Sequence, residues 1–284
     1  MQVASLWKTL EEQLLPVFAG YRSRLSELPI EIKADRTLLT EADVAVQNLI
    51  VREIHRVEPD AVIIAEEDGR TDQRKDVITA SGRVWVIDPI DGTAEFVRPE
   101  RIEFCSVVCL LEDWQPVAAF VLGPELGVGR SPLVIRTDAA AEVLLLNEEP
   151  APKRTSRNGP AWISATRSSD DPVRAFDDVA KQAGYQLKKR TSSQTLDMVR
   201  TAVDLTGHTE PALPAFDLFW RRQQKVWDGL AGLCLGANVG LRSVDERGEV
   251  LPLGPQLLSQ AEPTFDSTVM GRPETVSWFL DATR

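Results

Sequence analysis

The 284-residue sequence has few cysteines, and it has no long apolar run. Its three cysteines, Cys105, Cys109 and Cys234, are odd in number, form no CxxC pair and lie in apolar stretches, so we expect buried thiols in a reducing compartment. No apolar run is long enough to span a membrane, and the first residues lack a basic segment followed by an apolar stretch. These absences predict a cytoplasmic protein without a membrane partner.

Positive charge is scarce relative to negative charge. The chain has 32 Lys and Arg against 43 Asp and Glu, a formal net charge of -11, which disfavours nucleic-acid polymers and anionic membranes as partners. Most of the acids fit a solvated surface. A phosphate ligand remains compatible with this charge, because a locally placed metal ion can hold it.

Motifs of nucleotide enzymes are missing as well. Neither GxxxxGK[ST] nor GxGxxG occurs, which disfavours a kinase or a nucleotide-binding module. The two histidines, His55 and His208, lie outside every motif described below, and we expect both to be structural.

Alternating helix and strand patterns predict an α/β architecture. Apolar residues at helical spacing between Leu6 and Leu25 predict an opening helix that is bent or broken near Pro16. Thr40, with an acid three residues later, predicts the start of a second helix. Runs rich in β-branched residues predict strands at 61–65, 83–87, 104–111 and 117–122.

A polar, proline-rich stretch at 147–160 is the best candidate for a domain linker. It divides the chain into halves, 1–146 and 147–284. In the second half we predict a strand at 162–165 and two helices, one capped by Asp170 or Asp171 and running to Gly184, the other at 195–205.

The most informative motif is an apolar strand that ends in two aspartates, Asp88 and Asp91, flanking a turn. Such a turn can bring both carboxylates to one side, with the carbonyl of Ile90 as a third oxygen, and oxygen ligands suit magnesium. Gly92 and Thr93 follow at a predicted helix start, where free backbone N–H groups can hold a phosphate. The alternative is a simple strand-ending turn, since Asp, Pro and Gly all form turns.

Two further acidic motifs also have alternative explanations that need no metal ion. The acids Glu66 and Glu67, in the segment 65–69, also fit a solvated turn. Asp228, after Trp227, also fits a helix N-cap, and Asp43 also fits a capping box. Taken together, the acids supply enough carboxylates for a two- or three-cation cluster that drives in-line phosphoryl displacement: Glu66, Asp88, Asp91 and Asp228, with Asp43 nearby.

In their order and spacing, these motifs resemble the inositol monophosphatase superfamily. The resemblance rests on the segments 33–35, 40–43, 66–67, 88–93 and 227–228, and it covers most of the chain, with only a loose match over 123–225. It implies a layered αβαβα sandwich, an active site between the two halves and a homodimer. The first half would carry the metal and phosphate site, and the second would complete it.

The resemblance also implies a role for each motif residue. Glu66, Asp88 and the Ile90 carbonyl would hold one magnesium ion, Asp88, Asp91 and Asp228 a second, and Glu66 would help to bind a third. A metal-bound water, oriented by Glu66 and by Thr93 linked to Asp43, would attack phosphorus. The substrate would contact backbone amides and nearby side chains, namely Asp91, Gly92, Thr93, Ala94, Ser193 and Asp228.

Two departures from the family pattern concern packing and substrate. Leu230 stands where a second small residue is usual, and no glycine precedes Ser193, where a glycine-serine pair is common. Neither change touches an expected metal ligand. A haloacid-dehalogenase-type phosphatase is disfavoured, since it needs DxD spacing and this chain has DxxD.

Substrate identity is the least determined feature. The pairs Glu95-Phe96 and Glu103-Phe104 are similar to those of the 3'(2'),5'-bisphosphate nucleotidases, although Ala94 stands where these commonly have lysine. We therefore expect adenosine 3',5'-bisphosphate as substrate, with inositol 1-phosphate and then histidinol phosphate as alternatives, and inhibition by lithium. A catalytically inactive phosphate- or metal-binding homologue is the alternative of a different class. The second phosphate would need a cation, for which the candidates are Arg98, Arg101, Arg221, Arg222 and Lys225.

Overall fold

The structure is a computed structural model that describes residues 3–32, 38–67, 75–137, 143–152, 161–165 and 174–284. Its α-helices are α1 (Val3–Arg22), α2 (Glu41–Val57), α3 (Lys75–Ser81), α4 (Thr93–Phe96), α5 (Arg174–Gln182), α6 (Gln194–Ala202), α7 (Val226–Asn238), α8 (Pro255–Leu258) and α9 (Pro273–Ala282).

Its strands form one small and two large sheets. They are β1 (Ile30–Ile32), β2 (Leu38–Thr40), β3 (Ile63–Ala65), β4 (Arg83–Asp91), β5 (Cys105–Glu112), β6 (Gln115–Gly123), β7 (Leu133–Thr137), β8 (Leu145–Leu146), β9 (Glu149–Pro150), β10 (Ala161–Ser164), β11 (Tyr185–Lys188), β12 (Leu218–Lys225), β13 (Arg242–Val244) and β14 (Thr264–Gly271). β1 pairs with β2, the seven-stranded sheet runs from β3 to β9 in chain order, and the five-stranded sheet has the order β11-β10-β12-β14-β13.

One face of the seven-stranded sheet packs against α1 and α2. Successive residues of β4 alternate between the two faces, so that Trp85 and Ile87 point toward these helices. Trp7 of α1 stacks on Phe120 of β6, with ring centroids 5.4 Å apart. These contacts form the first of three apolar clusters.

Helices α6 and α7 fill the space between the two large sheets. Val86 on the opposite face of β4, Leu230 of α7 and Phe219 of β12 belong to one buried cluster. The two helices approach closely at Gly232, where an added Cβ would lie 2.5 Å from the Cβ of Met198. A small residue is therefore needed at this crossing.

Helices α5 and α9 cover the outer face of the five-stranded sheet. Phe176 of α5 and Phe279 of α9 pack against Trp220 of β12 in the third cluster. The order of layers is therefore helix, sheet, helix, sheet, helix, which confirms the predicted αβαβα sandwich.

Two local expectations differ from the structure. α1 continues through Pro16, so the predicted break is wrong, because Leu14 and Phe18 on either side are both buried and hold one helix against the sheet; a bend there stays a prediction. The expected linker begins inside the first large sheet: Asn147 and Glu148 form the turn between β8 and β9. The division into halves at 146 remains a prediction, and residues 153–160 lie outside the described part of the chain.

The other elements lie close to their predicted positions. Thr40 caps α2 in a complete capping box with Asp43. The strands and the helix near 195 are present within a few residues of the expected bounds, while Asp170 and Asp171 lie outside the described residues. The three cysteines are free and buried. None of the helices described is long and apolar enough to cross a membrane.

Candidate active site

The end of β4 brings Asp88 and Asp91 to the same side of the sheet. Two residues three apart in a regular strand point to opposite faces. Here Asp88 pairs with Val107 and Asp91 with Cys105, so three steps along β4 match two along β5. The extra residue is a β-bulge, a feature that re-aims side chains.

Asp228 joins these two aspartates from the second half of the chain. It lies in the first turn of α7, and one carboxylate oxygen from each of Asp88, Asp91 and Asp228 lies within 4.8 Å of the others. The N-cap of α7 is Lys225, so Asp228 is not a capping residue, and the capping alternative is wrong. Its Oδ2 accepts a hydrogen bond from Nε2 of Gln194.

Glu66 lies beside these three aspartates at the end of β3, and we call the four residues Glu66, Asp88, Asp91 and Asp228 the acidic cluster. Its backbone N–H donates to the carbonyl of Ile87 at 3.1 Å, at the point where β3 ends beside β4. The charge of Glu66 acts on both Asp88 and Asp228. Glu66 is half-buried and lies in a turn, so its place in a metal site stays a prediction, while Asp68 and Gly69 of the same motif lie outside the described residues.

Burial raises the pKa values of the three aspartates of the cluster, and repulsion by neighbouring carboxylates adds to the rise for Asp88 and Asp228. Asp88 has a pKa well above its ordinary range because it is buried and because the charges of Glu66, Asp91 and Asp228 act on it. Burial, followed by the charges of Asp91 and Glu66, raises the pKa of Asp228 in the same way. Carboxylates held together without a cation favour protonation, and a bound cation reverses that preference.

The oxygens of the cluster fit a hard metal ion. Oδ1 of Asp88 is buried and has no hydrogen-bond partner among the residues that the structure describes. A buried carboxylate oxygen without a partner is costly, and a cation with oxygen ligands would remove that cost. Magnesium accepts such ligands, so the residues present fit the ion that the sequence predicts.

The N-terminus of α6 holds Asp91 in place. Oδ2 of Asp91 accepts hydrogen bonds from the hydroxyl of Ser193 (2.8 Å) and the backbone N–H of Thr195 (2.6 Å), and Oδ1 accepts from the N–H of Gln194 (3.2 Å). These bonds oppose the rise in pKa that burial imposes on Asp91. The expected contact of Ser193 with substrate stays a prediction, because its hydroxyl already binds Asp91.

Sequence reasoning missed Gln194 and Thr195. The available signal was Ser193 as an N-cap: its hydroxyl accepts from the N–H of Leu196, and the free N–H groups after an N-cap bind carboxylates. The sequence did not show that the acceptor would be an aspartate about a hundred residues earlier in the chain.

Thr93 connects the acidic cluster to Asp43. The Thr93 hydroxyl lies 3.0 Å from Oδ1 of Asp43 and 3.1 Å from the carbonyl of Ile90. Oδ2 of Asp43 accepts from the N–H and hydroxyl of Thr40, so Asp43 is both a capping residue and a partner of Thr93. Burial raises the pKa of Asp43 to about 6, and the hydrogen bonds from Thr40 limit the rise.

Gly92 is required by the backbone path between the strand and α4. Its φ of 94° lies in the left-handed region, and an added Cβ would lie 3.1 Å from the carbonyl oxygen of Glu103 and 3.3 Å from the N of Ser193. The expected phosphate-binding segment, Gly92 to Ala94, thus sits where the two halves of the chain meet. Phosphate binding by this segment stays a prediction.

A network of ion pairs beside the cluster was also missed. Glu103 accepts hydrogen bonds from Lys188 and Arg200, and Arg190 donates to both Glu103 and Glu95. Burial alone would raise the pKa of Glu103, but the charges of Lys188, Arg200 and Arg190 outweigh it and lower the pKa. The partners are 85 to 97 residues apart, so no local pattern reveals the network.

Some predicted residues fall outside the described chain. Lys33, Ala34 and Asp35, on which part of the resemblance rests, are among them. His55 lies in the last turn of α2, near the carbonyl of Pro59 at 3.1 Å.

The profile of the inositol monophosphatase family matches residues 8–270. The match therefore covers nearly the whole chain, and it includes the residues of the acidic cluster. The chain is a member of the inositol monophosphatase family, which is a family of phosphatases.

Curated relatives include three kinds of phosphatase. The chain is 24% identical over 258 residues to the 3'(2'),5'-bisphosphate nucleotidase CysQ of Escherichia coli K12, covering 90% of this chain and 94% of that protein. It is 27% identical over 210 residues to the inositol-1-monophosphatase of Synechocystis, covering 72% and 65%. A 37% match to the histidinol-phosphatase of Mycobacterium tuberculosis spans only 100 residues, 35% of this chain and 36% of that protein.

Solved structures share the fold at low identity. The extragenic suppressor protein suhB of Bartonella henselae superposes with a TM-score of 0.75 at 14% identity, covering 100% of this chain and 99% of that one. An IMPase/NADP phosphatase complexed with NADP and Ca²⁺ gives a TM-score of 0.74 at 18% identity, covering 99% and 94%. Both comparisons support the sandwich architecture.

Proposed function

We propose that this phosphatase is a magnesium-dependent phosphomonoesterase with adenosine 3',5'-bisphosphate as its preferred substrate. The observation that carries the proposal is Oδ1 of Asp88, a buried oxygen with no partner among the described residues, beside the carboxylates of Asp91 and Asp228. Buried carboxylates in this arrangement are more stable with a bound divalent cation than without one.

The residues of the cluster divide between two magnesium sites. Glu66, Asp88 and the carbonyl of Ile90 form one site, and Asp88, Asp91 and Asp228 form the other, with Glu66 also available to a third ion. When bound, magnesium supplies stabilisation of the phosphoryl oxygens and activation of a water nucleophile. The proposal needs no covalent nucleophile.

The chain itself orients the attacking water and the phosphate. Thr93 donates its single hydroxyl proton to Asp43, which leaves its oxygen free to accept a hydrogen bond from a water. Glu66 orients the same water. Backbone amides of Gly92, Thr93 and Ala94 hold the phosphate at the start of α4, and Asp91, Asp228 and Ser193 border the remaining substrate.

The choice of substrate rests on two supports. The pairs Glu95-Phe96 and Glu103-Phe104 are of the nucleotidase kind, and the CysQ relative covers nearly the full length of both chains. The other two kinds of relative keep inositol 1-phosphate second and histidinol phosphate third.

The ratio of catalytic efficiencies tests this choice, since specificity is a ratio of kcat/KM values. Purified protein is assayed for phosphate release from adenosine 3',5'-bisphosphate, inositol 1-phosphate and histidinol phosphate at one saturating magnesium concentration. The nucleotide should have the highest kcat/KM. A higher value for inositol 1-phosphate would show that the nucleotidase assignment is wrong while the family assignment stands, and binding without turnover would indicate an inactive homologue.

Lithium inhibition and dimer formation complete the proposal. Lithium is expected to inhibit, and the inhibition constant is measured over a magnesium titration to see whether the two ions compete. A homodimer is expected from the family resemblance, and light scattering coupled to size exclusion measures the mass against the 31.5 kDa of one chain.

A further inference from the structure

Two acids of the acidic cluster, Asp91 and Asp228, contact the same turn at the start of α6. Thr195 donates its backbone N–H to Oδ2 of Asp91 and its hydroxyl to the backbone carbonyl of Asp228, at 2.9 Å. Gln194 contacts both carboxylates. Its backbone N–H donates to Oδ1 of Asp91 at 3.2 Å, and its side-chain Nε2 donates to Oδ2 of Asp228 at 2.5 Å. The end of β4 and the first turn of α7 are thus joined through one turn of a third element.

The orientation of the Gln194 amide carries a cost. An ionised carboxylate only accepts hydrogen bonds, so the amide nitrogen faces Asp228 and Oε1 points elsewhere. Oε1 is buried and has no hydrogen-bond partner among the residues that the structure describes. An unpaired buried acceptor destabilises a fold, so its presence in a native structure needs an explanation. The contact with Asp228 supplies one, because it fixes the amide in this orientation.

Helix α6 gives Gln194 a rigid support. Three residues after Gln194, Asp197 accepts a hydrogen bond from the hydroxyl of Ser164 in β10, at 2.7 Å. Arg200, in the last turn of α6, pairs with Glu103 before β5, at 3.1 Å. The helix also packs closely on α7 at the glycine crossing described above. Because α6 is fixed to both large sheets and to α7, the amide of Gln194 has a defined position beside the first turn of α7.

We propose that Gln194 is a positioning residue for one magnesium ion, because it keeps the carboxylates of Asp91 and Asp228 at the spacing that their common site needs. This inference rests on the proposed function, in which these two acids and Asp88 form that site. Hydrogen-bond partners of metal-ligating carboxylates orient them, and the loss of such a partner typically lowers metal affinity about ten- to a hundredfold. The other magnesium site shares only Asp88 with this one, so the effect is confined to one ion.

A titration with Mn²⁺ tests this role by counting bound ions. Mn²⁺ takes the same oxygen ligands as magnesium, and its free concentration is measured by electron paramagnetic resonance in the presence of inorganic phosphate. The proteins compared are the wild type, Gln194→Leu, Gln194→Asn and a control, Gln182→Leu. The leucine removes the amide, whereas the asparagine keeps it but is one methylene shorter and does not reach Asp228. Gln182 is an exposed residue at the end of α5.

The wild type and Gln182→Leu should bind at least two ions. Both Gln194 variants should bind one of these ions about ten- to a hundredfold more weakly, while the dissociation constant of the other stays unchanged. A general loosening of the fold would instead weaken both ions alike. Because Gln194 acts through Asp228 and not on the substrate, a higher magnesium concentration should restore most of the phosphate release that the variants lose.

Four results would overturn the inference: equal weakening of both ions, unchanged binding, a wild type that binds a single ion, and a loss of phosphate release that no magnesium concentration restores. Normal binding by Gln194→Asn beside weak binding by Gln194→Leu would also contradict it, since the apolar side chain would then explain the loss. Failure of every phosphomonoester to turn over, with the binding result as expected, would contradict the proposed function and leave the role of Gln194 intact.

Discussion

At the scale of single residues, Asp43 is a buried carboxylate that contacts Thr93 at a cost in stability. It is fully buried, accepts two hydrogen bonds from Thr40 and reaches Thr93 with its other oxygen. Its pKa of about 6 lies above the ordinary 3.8, so folding favours the protonated form. The stabilisation that Asp43 contributes is fully present below pH 3.8 and is lost as the pH rises through 6.

Asp43→Asn should therefore raise stability and lower activity. Above pH 7 the variant lacks the buried charge, and we expect its free energy of unfolding to exceed that of the wild type by on the order of 2 kcal/mol, with the difference shrinking as the pH falls below 6. Turnover should fall, since Thr93 loses its acceptor. Urea unfolding from pH 5 to 8 measures the first effect, and a variant that is less stable at pH 8 would contradict it.

Thr93→Ala tests whether this hydroxyl acts in the transition state. We expect kcat to fall by about a hundredfold while KM changes little, because a group that orients the nucleophile adds little to substrate binding. Thr93→Ser keeps the hydroxyl and should recover most of the lost turnover. A variant with normal kcat and a much higher KM would show that Thr93 only holds substrate.

The sequence predicted the residues of the acidic cluster because Glu66, Asp88 and Asp91 stand at the ends of apolar runs and Asp228 stands at a predicted helix start. For Asp228 and Glu66 the sequence also allowed explanations without a metal ion. The local pattern at a strand end or a helix start does not reveal which distant residues lie beside it. The β-bulge between Asp88 and Asp91 could not be predicted either. It is defined by the pairing of β4 with β5, and the sequence of β4 alone does not show that pairing.

At the scale of elements, the ion pairs of Glu103 connect α6 and β11 to the segment just before β5. Lys188 of β11 and Arg200 of α6 both contact its Oε2, at 3.2 and 3.1 Å. The same α6 holds Asp91 through its N-terminus. The network thus positions the helix whose first turn supports the acidic cluster.

Glu103→Gln should destabilise the fold in a pH-dependent way. The pKa of Glu103 is lowered, so its stabilisation is present above the ordinary 4.5 and is lost as the pH falls through the lower folded value. At pH 7 we expect a loss of about 3 kcal/mol, as when one partner of a buried ion pair is removed. Glu100→Gln, in the exposed loop before β5, is the matched control.

Urea unfolding at pH 7 and at successively lower pH compares these two variants. The difference between Glu103→Gln and the wild type should narrow toward acid pH, while Glu100→Gln should follow the wild type throughout. A loss that is independent of pH would show that packing, and not charge, accounts for the role of Glu103.

Helices and strands were predictable where the local signal was strong. The capping box at Thr40 marked the start of α2 within one residue, and the β-branched runs marked β3 to β6. Pro16 was misleading because the buried residues on either side of it override its local effect. The turn between β8 and β9 was read as linker because strands of two residues leave no periodic pattern.

At the scale of the whole molecule, the five layers bring the two halves of the sequence to one site. Asp88 and Asp91 come from the first large sheet, and Asp228 comes from the helical layer between the sheets. The layers were expected from the family resemblance and not from periodicity, which predicts elements but not their order in space. The ion-pair network beside the site depends on the order of the layers in space, so it could not be predicted from the sequence.

Phosphate release as a function of magnesium concentration is the most direct test of the proposed metal dependence. It is measured on the wild type, on Asp88→Asn and on Asp266→Asn, an exposed aspartate of β14 as control. The folded state of each is checked by circular dichroism, and Asp88→Asn should be at least as stable as the wild type without metal, because it relieves carboxylate repulsion.

We expect no phosphate release in chelator, recovery on adding magnesium for the wild type and Asp266→Asn, and a loss of turnover of about a thousandfold or more for Asp88→Asn at any magnesium concentration. Near-normal, magnesium-dependent turnover by a folded Asp88→Asn protein, or release by the wild type in chelator, would contradict the proposed metal dependence.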